Sequence, residues 1–290
     1  MQLQPFFSVV IPTYNRAKII HRAIQSVLDQ SSPDLELIVV DDGSIDNTKE
    51  IVEGLADSRL KYIYQTNSGV CAARNNGAFA AVGEYLAFLD SDDEVTVNWL
   101  YDFRSMTAQG AFDWVCCSAK AIDSADNHER VLLASNPYND GSSKGLPIAG
   151  SWAIRRDLFL KAGGYDEGIK FGENVELAMR LEKVTTQKAI SDNINLTYYT
   201  VHGEGSKNLG NRIESNLYIL RKHEEHYKKF PKVKRLMLQN AGVASARLGM
   251  FKQARKLLGK AWMVKPAKIS TFFRYLVCFF PPVAKQIWKG

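Results

Sequence analysis

The sequence predicts an α/β fold, in which a Rossmann-like, mainly parallel sheet is flanked by helices and followed by an α-helical C-terminal appendage. In the N-terminal half, short β-branched or aromatic runs alternate with stretches of helical period. The run Leu35 to Val40 is nearly continuously apolar, which is typical of a strand buried on both faces of a parallel sheet. From Ile213 onward the pattern is wholly helical.

The predicted elements follow one another in βαβ order. Strands are expected at Phe6 to Ile11, Leu35 to Val40, Leu60 to Tyr64 and Tyr85 to Leu89. Helices are expected at Lys18 to Gln30, Thr48 to Leu55 and Val70 to Ala81. After residue 113 the pattern loosens into the extended runs Trp114 to Ala119 and Val131 to Ala134, and then into a loop rich in Gly, Ser and Asn, Ser135 to Gly145, which could close over a site. Ligands of such sheets bind at the carboxyl ends of the strands.

Length and charge divide the chain. Its 290 residues, 46% hydrophobic and 23% charged, suit one large domain or one domain with a smaller one, and they exclude disordered, collagen-like and disulfide-scaffold proteins. Residues 1–206 hold 18 Lys and Arg against 28 Asp and Glu, whereas residues 207–290 hold 19 against 3. We therefore predict a domain at 1–206 and a basic α-helical region at 207–290.

The same features bear on partners and compartment. The acidic body shows no zinc-finger or stacking signature, and the aromatic residues of the basic region cluster in apolar stretches. We therefore expect no nucleic acid and favour a membrane surface or an anionic substrate. The spacing of the cysteines matches neither a metal site nor a redox motif, which favours a reducing cytoplasm. Met1 to Pro5 lack the positive flank of a signal peptide, so the chain is expected to stay cytoplasmic.

Acidic residues follow two of the predicted strands. Asp90, Asp92 and Asp93 come after Tyr85 to Leu89, where their mutual repulsion would raise their pKa values unless a cation were bound. Oxygen ligands suit Mg²⁺ or Mn²⁺ bridging substrate phosphates. Helix capping is the structural alternative, and for Asp93 the two interpretations stay open. Asp41 and Asp42 could accept hydrogen bonds from a uracil imide or a ribose hydroxyl, or simply form a turn.

Four runs in this region stand in the order and at the spacing of family 2 glycosyltransferases, which residues 6 to 206 resemble. The runs are Ser8-Val9-Val10-Ile11-Pro12-Thr13-Tyr14-Asn15, Val39-Val40-Asp41-Asp42-Gly43-Ser44, Ala73-Arg74-Asn75-Asn76-Gly77 and Phe88-Leu89-Asp90-Ser91-Asp92-Asp93. The resemblance implies a GT-A fold with a donor half at about 1–110 and an acceptor half at about 111–206. It also implies a nucleotide-sugar donor, a UDP-sugar being favoured, and Mn²⁺ or Mg²⁺ as the metal.

The resemblance also implies roles for individual residues. The Asp-x-Asp motif, Asp90, Ser91 and Asp92, would hold the metal and the diphosphate and ribose of the donor. Thr13 and Asp42 would touch the base, and Pro12 would shape their loop. Arg74 would approach the base or the phosphates, and a salt bridge to the acidic loops is the equally weighted alternative.

The sequence departs from the family pattern at the catalytic base. The run Phe171-Gly172-Glu173-Asn174-Val175-Glu176-Leu177 stands where an inverting member has Glu-Asp, and Asn174 cannot accept a proton. Glu173 and Glu176 lie three residues apart near the start of a predicted helix, so either could replace the base. The order Glu-Asn-x-Glu also resembles retaining polypeptide N-acetylgalactosaminyltransferases. Because the N-terminal motifs resemble family 2 more closely, inversion is favoured and retention stays open.

Two further segments carry predictions. His202 follows an apolar run, and the resemblance implies that it completes the metal shell or contacts the diphosphate; a structural histidine is the alternative. Residues 265–290 combine six aromatic residues with five Lys and Arg around Pro281 and Pro282. Such a tail could lie on the cytoplasmic face of an anionic membrane, or it could form the core of a helical appendage.

We therefore predict a metal-dependent glycosyltransferase that moves a sugar to a glycan or lipid-linked acceptor in cell-surface polysaccharide or glycolipid synthesis. A nucleotidyltransferase would also use acidic metal sites, but we find no Gly-rich, Lys-bearing phosphate loop. A catalytically degenerate binding module is the other alternative. It rests on Asn174 and on one tetratricopeptide-like unit at residues 248–266.

Overall fold

The computed structural model describes residues 4–134, 148–200, 208–264, 266 and 269–287, which form nine strands and twelve helices. The strands are β1 (Phe7–Thr13), β2 (Leu35–Asp41), β3 (Leu60–Tyr64), β4 (Tyr85–Phe88), β5 (Glu94–Val95), β6 (Trp114–Asp123), β7 (Glu129–Leu132), β8 (Trp152–Arg155) and β9 (Lys188–Thr200). The helices are α1 (Ile20–Leu28), α2 (Thr48–Glu53), α3 (Val70–Ala80), α4 (Trp99–Gln109), α5 (Arg156–Lys161), α6 (Glu173–Leu181), α7 (Leu209–Lys222), α8 (Glu224–Lys229), α9 (Pro231–Arg247), α10 (Phe251–Val264), α11 (Ile269–Val277) and α12 (Pro281–Ile287).

The strands form one mixed sheet in the order β3-β2-β1-β4-β8-β6-β9-β5, with β7 paired to β6. The first four strands are parallel, as the continuous apolar character of β2 predicts. Beyond β4, the strand β8 is antiparallel to both β4 and β6, and β9 runs parallel to β6. The predicted α/β architecture is confirmed, with each of the first four strands within two residues of its predicted limits.

Helices pack tightly on the parallel strands. In α1, the apolar residues that face the core recur at helical spacing, and Ile20, Ile24 and Val27 are fully buried. In α3, a Cβ added at Gly77 would lie 2.4 Å from Cγ1 of Val10 in β1. Only a glycine allows this helix to approach the sheet so closely.

A buried carboxylate joins neighbouring strands near their amino ends. Glu36 of β2 pairs in register with Ser8 of β1, whose hydroxyl donates to Oε1 at 2.5 Å. The same oxygen accepts from the backbone N–H of Val82 at 2.7 Å, and Lys61 of β3 donates to Oε2 at 2.6 Å. Burial alone would raise the pKa of Glu36, but these hydrogen bonds outweigh it and hold the pKa below its ordinary value.

The chain divides into two compact units. Unit 1 comprises the described residues up to Thr200 except for 168–172, and unit 2 comprises 168–172 together with the described residues from Asn208 onward. The short stretch 168–172 belongs to the helical unit because the backbone N–H of Lys170 donates to the Ser215 hydroxyl at 3.1 Å, and Arg212 lies 4.7 Å from the Phe171 ring. The domain limits at 206 and 207 stay a prediction.

Unit 2 is built of helices α7 to α12. Its α9 and α10 form a close hairpin, because a Cβ at Gly242 would lie 2.7 Å from Cγ of Leu258. The connection turns at Gly249, whose φ of 76° favours glycine. A small core of Ala246, Ala254, Leu258 and Cys278 joins these helices to the C-terminal segment. Within the described part of the chain, no helix is both long enough and apolar enough to cross a bilayer.

Candidate active site

The loops that follow β1 and β2 are tied to each other at the carboxyl edge of the sheet. The backbone N–H of Asp42 donates to the carbonyl of Thr13 at 2.8 Å. Asn15, at a φ of 53°, accepts from the backbone of Ile45 at 2.9 Å through its side-chain carbonyl and donates its own N–H to the Ser44 hydroxyl at 2.8 Å. These bonds set the position of both predicted base-binding loops before any ligand is present.

Asp42 organises the segment that leads into α3. Its Oδ1 accepts from Nε2 of Gln65 and from the backbone of Ser68, and its Oδ2 accepts from the backbone of Gly69, each at 2.8 Å. Gln65 is held in turn by Asn76 of α3, whose amide donates to Oε1 at 2.8 Å. The carboxylate of Asp42 is 4% exposed, so its first role in the structure is to shape the loop.

The neighbouring residues of the predicted base site differ in their partners. Asp41 makes the turn that the sequence left as its alternative, because it accepts from the backbone of Ser44 at 2.8 Å and from the Tyr62 hydroxyl at 2.7 Å. Pro12 is buried within β1. The hydroxyl of Thr13 is also buried and has no hydrogen-bond partner among the described residues. Such a group costs free energy unless a ligand or water bonds to it.

Arg74 is the central cation of the site. It lies on α3, which begins after Gly69 at a φ of 94°, and only 2% of it is exposed. Its Nη2 lies 2.5 Å from Oδ1 of Asp90, and its Nη1 lies 3.1 Å from Oε1 of Glu173. Burial alone would lower the pKa of Arg74, but Asp90 and Glu173 raise it well above its ordinary value. The salt bridge that the sequence left open is therefore present.

Glu173 and Glu176 both lie in the first turn of α6, yet they serve different partners. Glu173 is 18% exposed and pairs with Arg74. Glu176 is fully buried and pairs with Arg180 one turn later, which donates from Nε at 2.9 Å and from Nη2 at 2.7 Å. Nη1 of Arg180 also donates to the carbonyl of Ala162 at 2.6 Å. Glu176 thus anchors its helix, whereas Glu173 is connected to Asp90 of the acidic loop through Arg74.

Asn174 has a structural partner of its own. Its Oδ1 accepts from the Tyr165 hydroxyl at 2.9 Å, and the Tyr165 ring lies 5.1 Å from the guanidinium of Arg74. Tyr165 is held through its backbone by Asn75, which accepts from the Tyr165 N–H at 2.8 Å and donates to its carbonyl at 2.9 Å. Burial raises the pKa of Tyr165, so it stays a neutral hydrogen-bond donor that positions Asn174.

The acidic loop after β4 is electrostatically strained. Burial first, and then the charge of Asp90, raise the pKa of Asp92. The pKa of Asp93 is raised well above its ordinary value by burial and by both neighbouring aspartates. Oδ1 of Asp93 accepts from the backbone of Tyr199 at 2.9 Å, but its buried Oδ2 has no partner among the described residues. Ser91, which separates Asp90 from Asp92 in the sequence, is buried.

A cation would relieve this repulsion, and the oxygen-only chemistry of the loop fits Mg²⁺ or Mn²⁺. Within the described ranges, however, no group of three or more His, Cys, Asp or Glu side chains could hold a metal by itself. Mg²⁺ and Mn²⁺ commonly complete their coordination with substrate phosphates and waters. His202, the third predicted ligand, and the loop Ser135 to Gly145 lie outside the described residues.

Sequence reasoning assigned no role to three residues that shape the site: Gln65, Asn75 and Tyr165. The signal for Asn75 was present, because it stands beside Arg74 on α3. Tyr165 follows Gly163 and Gly164, whose φ values of 85° and 64° mark a turn. A Cβ at Gly164 would lie 2.7 Å from Oδ1 of Asn75, so the glycine leaves room for the Asn75 side chain at this turn. Gln65 carries no local signal, because its partner Asp42 lies 23 positions away.

Solved structures resemble this fold over nearly the whole chain. TarS of S. aureus, solved in complex with UDP-GlcNAc, matches with a TM-score of 0.64 at 18% identity, covering 97% of this chain and 91% of that one. The mannosyltransferase PcManGT of Pyrobaculum calidifontis, solved with GDP-Man and Mn²⁺, matches with a TM-score of 0.62 at 17% identity, covering 100% of this chain and 89% of that one. The predicted GT-A fold is confirmed.

A curated relative is more similar in sequence. The GalNAc(5)-diNAcBac-PP-undecaprenol beta-1,3-glucosyltransferase of Campylobacter jejuni is 44% identical over 110 residues, which are 37% of this chain and 36% of that protein. The chain spans between 36% and 65% of the length of the first curated relatives that it matches.

The model of the family "Glycosyl transferase family 2" matches residues 8–161. This span contains all four runs on which the resemblance rests, and it ends before α6 and the departure at Asn174. More than half of the chain lies within it. The chain therefore belongs to glycosyl transferase family 2.

Proposed function

We propose that this protein transfers a sugar from a nucleotide-diphosphate donor, a UDP-sugar, to an acceptor hydroxyl with inversion at the anomeric carbon. The observation that carries the proposal is the buried Arg74, which binds both Asp90 of the acidic loop and Glu173 of α6. Through this one side chain the proposed diphosphate site lies next to the proposed base, as a transfer between two substrates requires.

The donor would occupy the carboxyl edge of β1, β2 and β4. The unpartnered hydroxyl of Thr13 supports a contact with the base there. Asp42 would face the base from a loop that its own hydrogen bonds hold in place. Pro12, buried in β1, shapes the start of this loop, and Ser91 lies in the proposed diphosphate and ribose site. Arg74 would pair with phosphate oxygens, which a guanidinium binds in a bidentate geometry.

Asp92 and Asp90 would hold Mn²⁺ or Mg²⁺, with His202 as a further ligand. The metal, when bound, supplies positive charge that stabilises the departing diphosphate. The raised pKa of Asp92 supports this assignment, since the carboxylate is charged at a cost that only a cation or a proton relieves. Asp93 takes a supporting role, because its Oδ1 is bound by the Tyr199 backbone.

We assign the catalytic base to Glu173. Its carboxylate is partly exposed next to the acidic loop, whereas that of Glu176 is buried against Arg180. The acceptor hydroxyl would give its proton to Glu173 while its oxygen bonds to the anomeric carbon. The bond from that carbon to the donor phosphate oxygen breaks, and its electron pair leaves with the diphosphate. Asn174 takes no proton, and its side-chain oxygen accepts from the Tyr165 hydroxyl.

The acceptor is proposed to be a glycan or a lipid-linked glycan of cell-surface polysaccharide or glycolipid synthesis. The name of the Campylobacter relative, which specifies an undecaprenol-linked acceptor, supports this class. The exposed apolar side chains of α11, of α12 and of the turn between them support a peripheral location at the cytoplasmic face of a membrane. They include Ile269, Phe273 and Phe280, which are 69%, 60% and 63% exposed.

The experiment that tests this proposal is a panel of UDP-, GDP-, CMP- and dTDP-sugars with Mn²⁺. Each is scored by thermal stabilisation and by slow hydrolysis of the donor without acceptor. We expect UDP-sugars to give the largest shift and measurable release of UDP. A protein that none of these donors stabilises would overturn the proposal in favour of a binding module.

A further inference from the structure

The helical unit contains a groove of about 1280 Å³ that the proposed transfer reaction does not use. It is lined by residues of α7, α9 and α10, by Glu224 at the start of α8 and by the turn at Gly249. Its floor is aliphatic and includes Leu220, Leu238, Leu257 and Val264, of which the three leucines are buried. Met263 continues this surface and is 67% exposed. An aliphatic surface of this extent favours a ligand that brings an apolar chain.

The rim of the groove is strongly basic. It carries Arg221, Lys234, Lys252, Lys256 and Lys260 against a single acidic lining residue, Glu224. On α10 the three lysines are spaced four apart, so they lie along one face of the helix over about 12 Å. Among the described residues, none of these five cations is within ion-pair distance of a carboxylate; the pair recorded in this unit is Lys228 with Glu225. The groove therefore presents unpaired positive charge beside apolar surface.

This combination selects among the classes of anionic ligand. A nucleic acid would need stacking surfaces, but Phe251 is the one aromatic residue in the lining. A free phosphate would gain nothing from the aliphatic floor. A phosphorylated amphiphile uses both features, because each buried CH₂ and each nearby cation adds to its affinity.

We infer that this groove binds one molecule of an anionic, phosphate-bearing lipid, with its chain on the aliphatic floor and its headgroup among the rim cations. The exposed side chains of Ile269, Phe273 and Phe280 in the same unit would bring the groove to such a lipid at a bilayer surface. The inference is independent of the donor site, since every residue that it uses lies in unit 2 and Arg74, Asp90 and Glu173 lie in unit 1.

The test uses the full chain and dodecyl phosphate as a monomer, with binding measured by titration calorimetry. Dodecyl maltoside and inorganic phosphate serve as the chain-only and phosphate-only ligands. We expect saturable binding of one dodecyl phosphate and at least tenfold weaker binding of the other two. Equal binding of inorganic phosphate or of dodecyl maltoside would overturn the inference, and so would binding of an acidic amphipathic peptide with none of dodecyl phosphate.

A matched pair of variants locates the binding. The triple variant K252Q/K256Q/K260Q should weaken dodecyl phosphate binding about 100-fold, because each cation near an anionic headgroup contributes substantially. The control K228Q/K229Q/K232Q removes the same charge from residues that do not line the groove and should bind normally. Equal losses in both triples would mean a diffuse charge effect and would refute the site.

A substitution on the apolar surface of the groove tests the contribution of the lipid chain separately from that of the cations. Met263→Asp should weaken dodecyl phosphate binding at least tenfold, whereas Leu248→Asp, at an exposed residue outside the groove lining, should not. In every variant the thermal shift with UDP and Mn²⁺ should equal that of the wild type. Absence of that shift in the wild type would refute the proposed UDP donor but would not bear on lipid binding in the groove.

Discussion

Arg74 and Glu173 are 99 positions apart in the chain, yet Nη1 of the arginine lies 3.1 Å from Oε1 of the glutamate. The same guanidinium binds Asp90 through Nη2 at 2.5 Å. A single buried cation therefore pairs with one carboxylate of the acidic loop and one of α6. A bound metal and diphosphate would rearrange these charges. The first three predictions test parts of this arrangement.

The acidic loop should bind metal and nucleotide together. We expect UDP with Mn²⁺ to raise the melting temperature by about 5 °C at a nucleotide concentration a hundredfold above its Kd. Asp92→Asn should abolish this shift while raising the melting temperature of the ligand-free protein, because it removes a charge that burial and Asp90 disfavour. Differential scanning fluorimetry measures both effects.

Asp192→Asn is the matched control, because it removes the same charge from an exposed residue of β9. It should change neither the melting temperature of the ligand-free protein nor the increase that UDP and Mn²⁺ cause. Full stabilisation by UDP in excess chelator would show that the metal plays no part in donor binding.

The two glutamates of α6 should separate into a catalytic and a structural residue. Glu173→Gln should lower kcat about 100-fold or more with little change in donor affinity or melting temperature, because it removes the proposed proton acceptor and keeps a polar partner for Arg74. Glu176→Gln should instead lower the free energy of unfolding by about 3 kcal/mol, since it breaks a buried pair with Arg180.

Steady-state kinetics and chemical denaturation distinguish the two outcomes. If Glu173→Gln keeps normal turnover and the product keeps the anomeric configuration of the donor, inversion by this glutamate is excluded and the retaining course gains.

Asn174→Asp introduces the residue type that an inverting member of the family has at this position. Because Asp can still accept from the Tyr165 hydroxyl, we expect a folded protein whose kcat changes less than tenfold. Rescue of the Glu173→Gln defect by Asn174→Asp in the double variant would contradict our assignment, since it would mean that position 174 can deliver the base. The anomeric configuration of the product, read by NMR, accompanies the rate.

Glu36 should make stability depend on pH. Its pKa in the folded protein is lower than its ordinary value of 4.5, so its contribution to the free energy of unfolding is fully present above that value and is lost as the pH falls through the folded pKa. We expect Glu36→Gln to cost about 1 to 3 kcal/mol at pH 7 and progressively less as the pH falls below 4.5. Urea denaturation at several pH values measures this difference, and a difference independent of pH would contradict the ionised network.

The exposed apolar side chains of α11, of α12 and of the turn between them should anchor the protein to anionic vesicles. Phe273→Ser with Phe280→Ser should reduce sedimentation with vesicles containing phosphatidylglycerol, and added salt should weaken binding of the wild type. Phe79→Ser, which changes an aromatic residue 78% exposed in unit 1, is the control. Binding that is indifferent to lipid charge would make the tail a structural appendage.

Much of the carboxyl edge of the sheet was predictable because it depends on local patterns. The strand-to-loop transitions at Thr13, Asp41 and Asp90 follow from apolar runs that end in polar residues, and parallel strands must bring these ends to one edge. The start of α6 next to Gly172 was equally local.

The partners of the charged residues were not predictable in the same way. Arg74 had two equally weighted interpretations, because the sequence does not reveal that Asp90 and Glu173 both reach it. The different fates of Glu173 and Glu176 depend on burial, which spacing within one helical turn does not encode. The i,i+4 relation of Glu176 to Arg180 was a signal that could have separated them.

Because α3 approaches β1 so closely at Gly77, the contact between Arg74 and Asp90 depends on the side-chain volume at position 77. Gly77 stands three residues after Arg74, on the same side of the helix, and even one methyl group there would meet Val10. A larger residue must push the helix outward, and a shift of an ångström exceeds what the short contact between Arg74 and Asp90 tolerates. The lack of a side chain at Gly77 thus fixes the distance between the charges of Arg74 and Asp90, although Gly77 contacts neither of them.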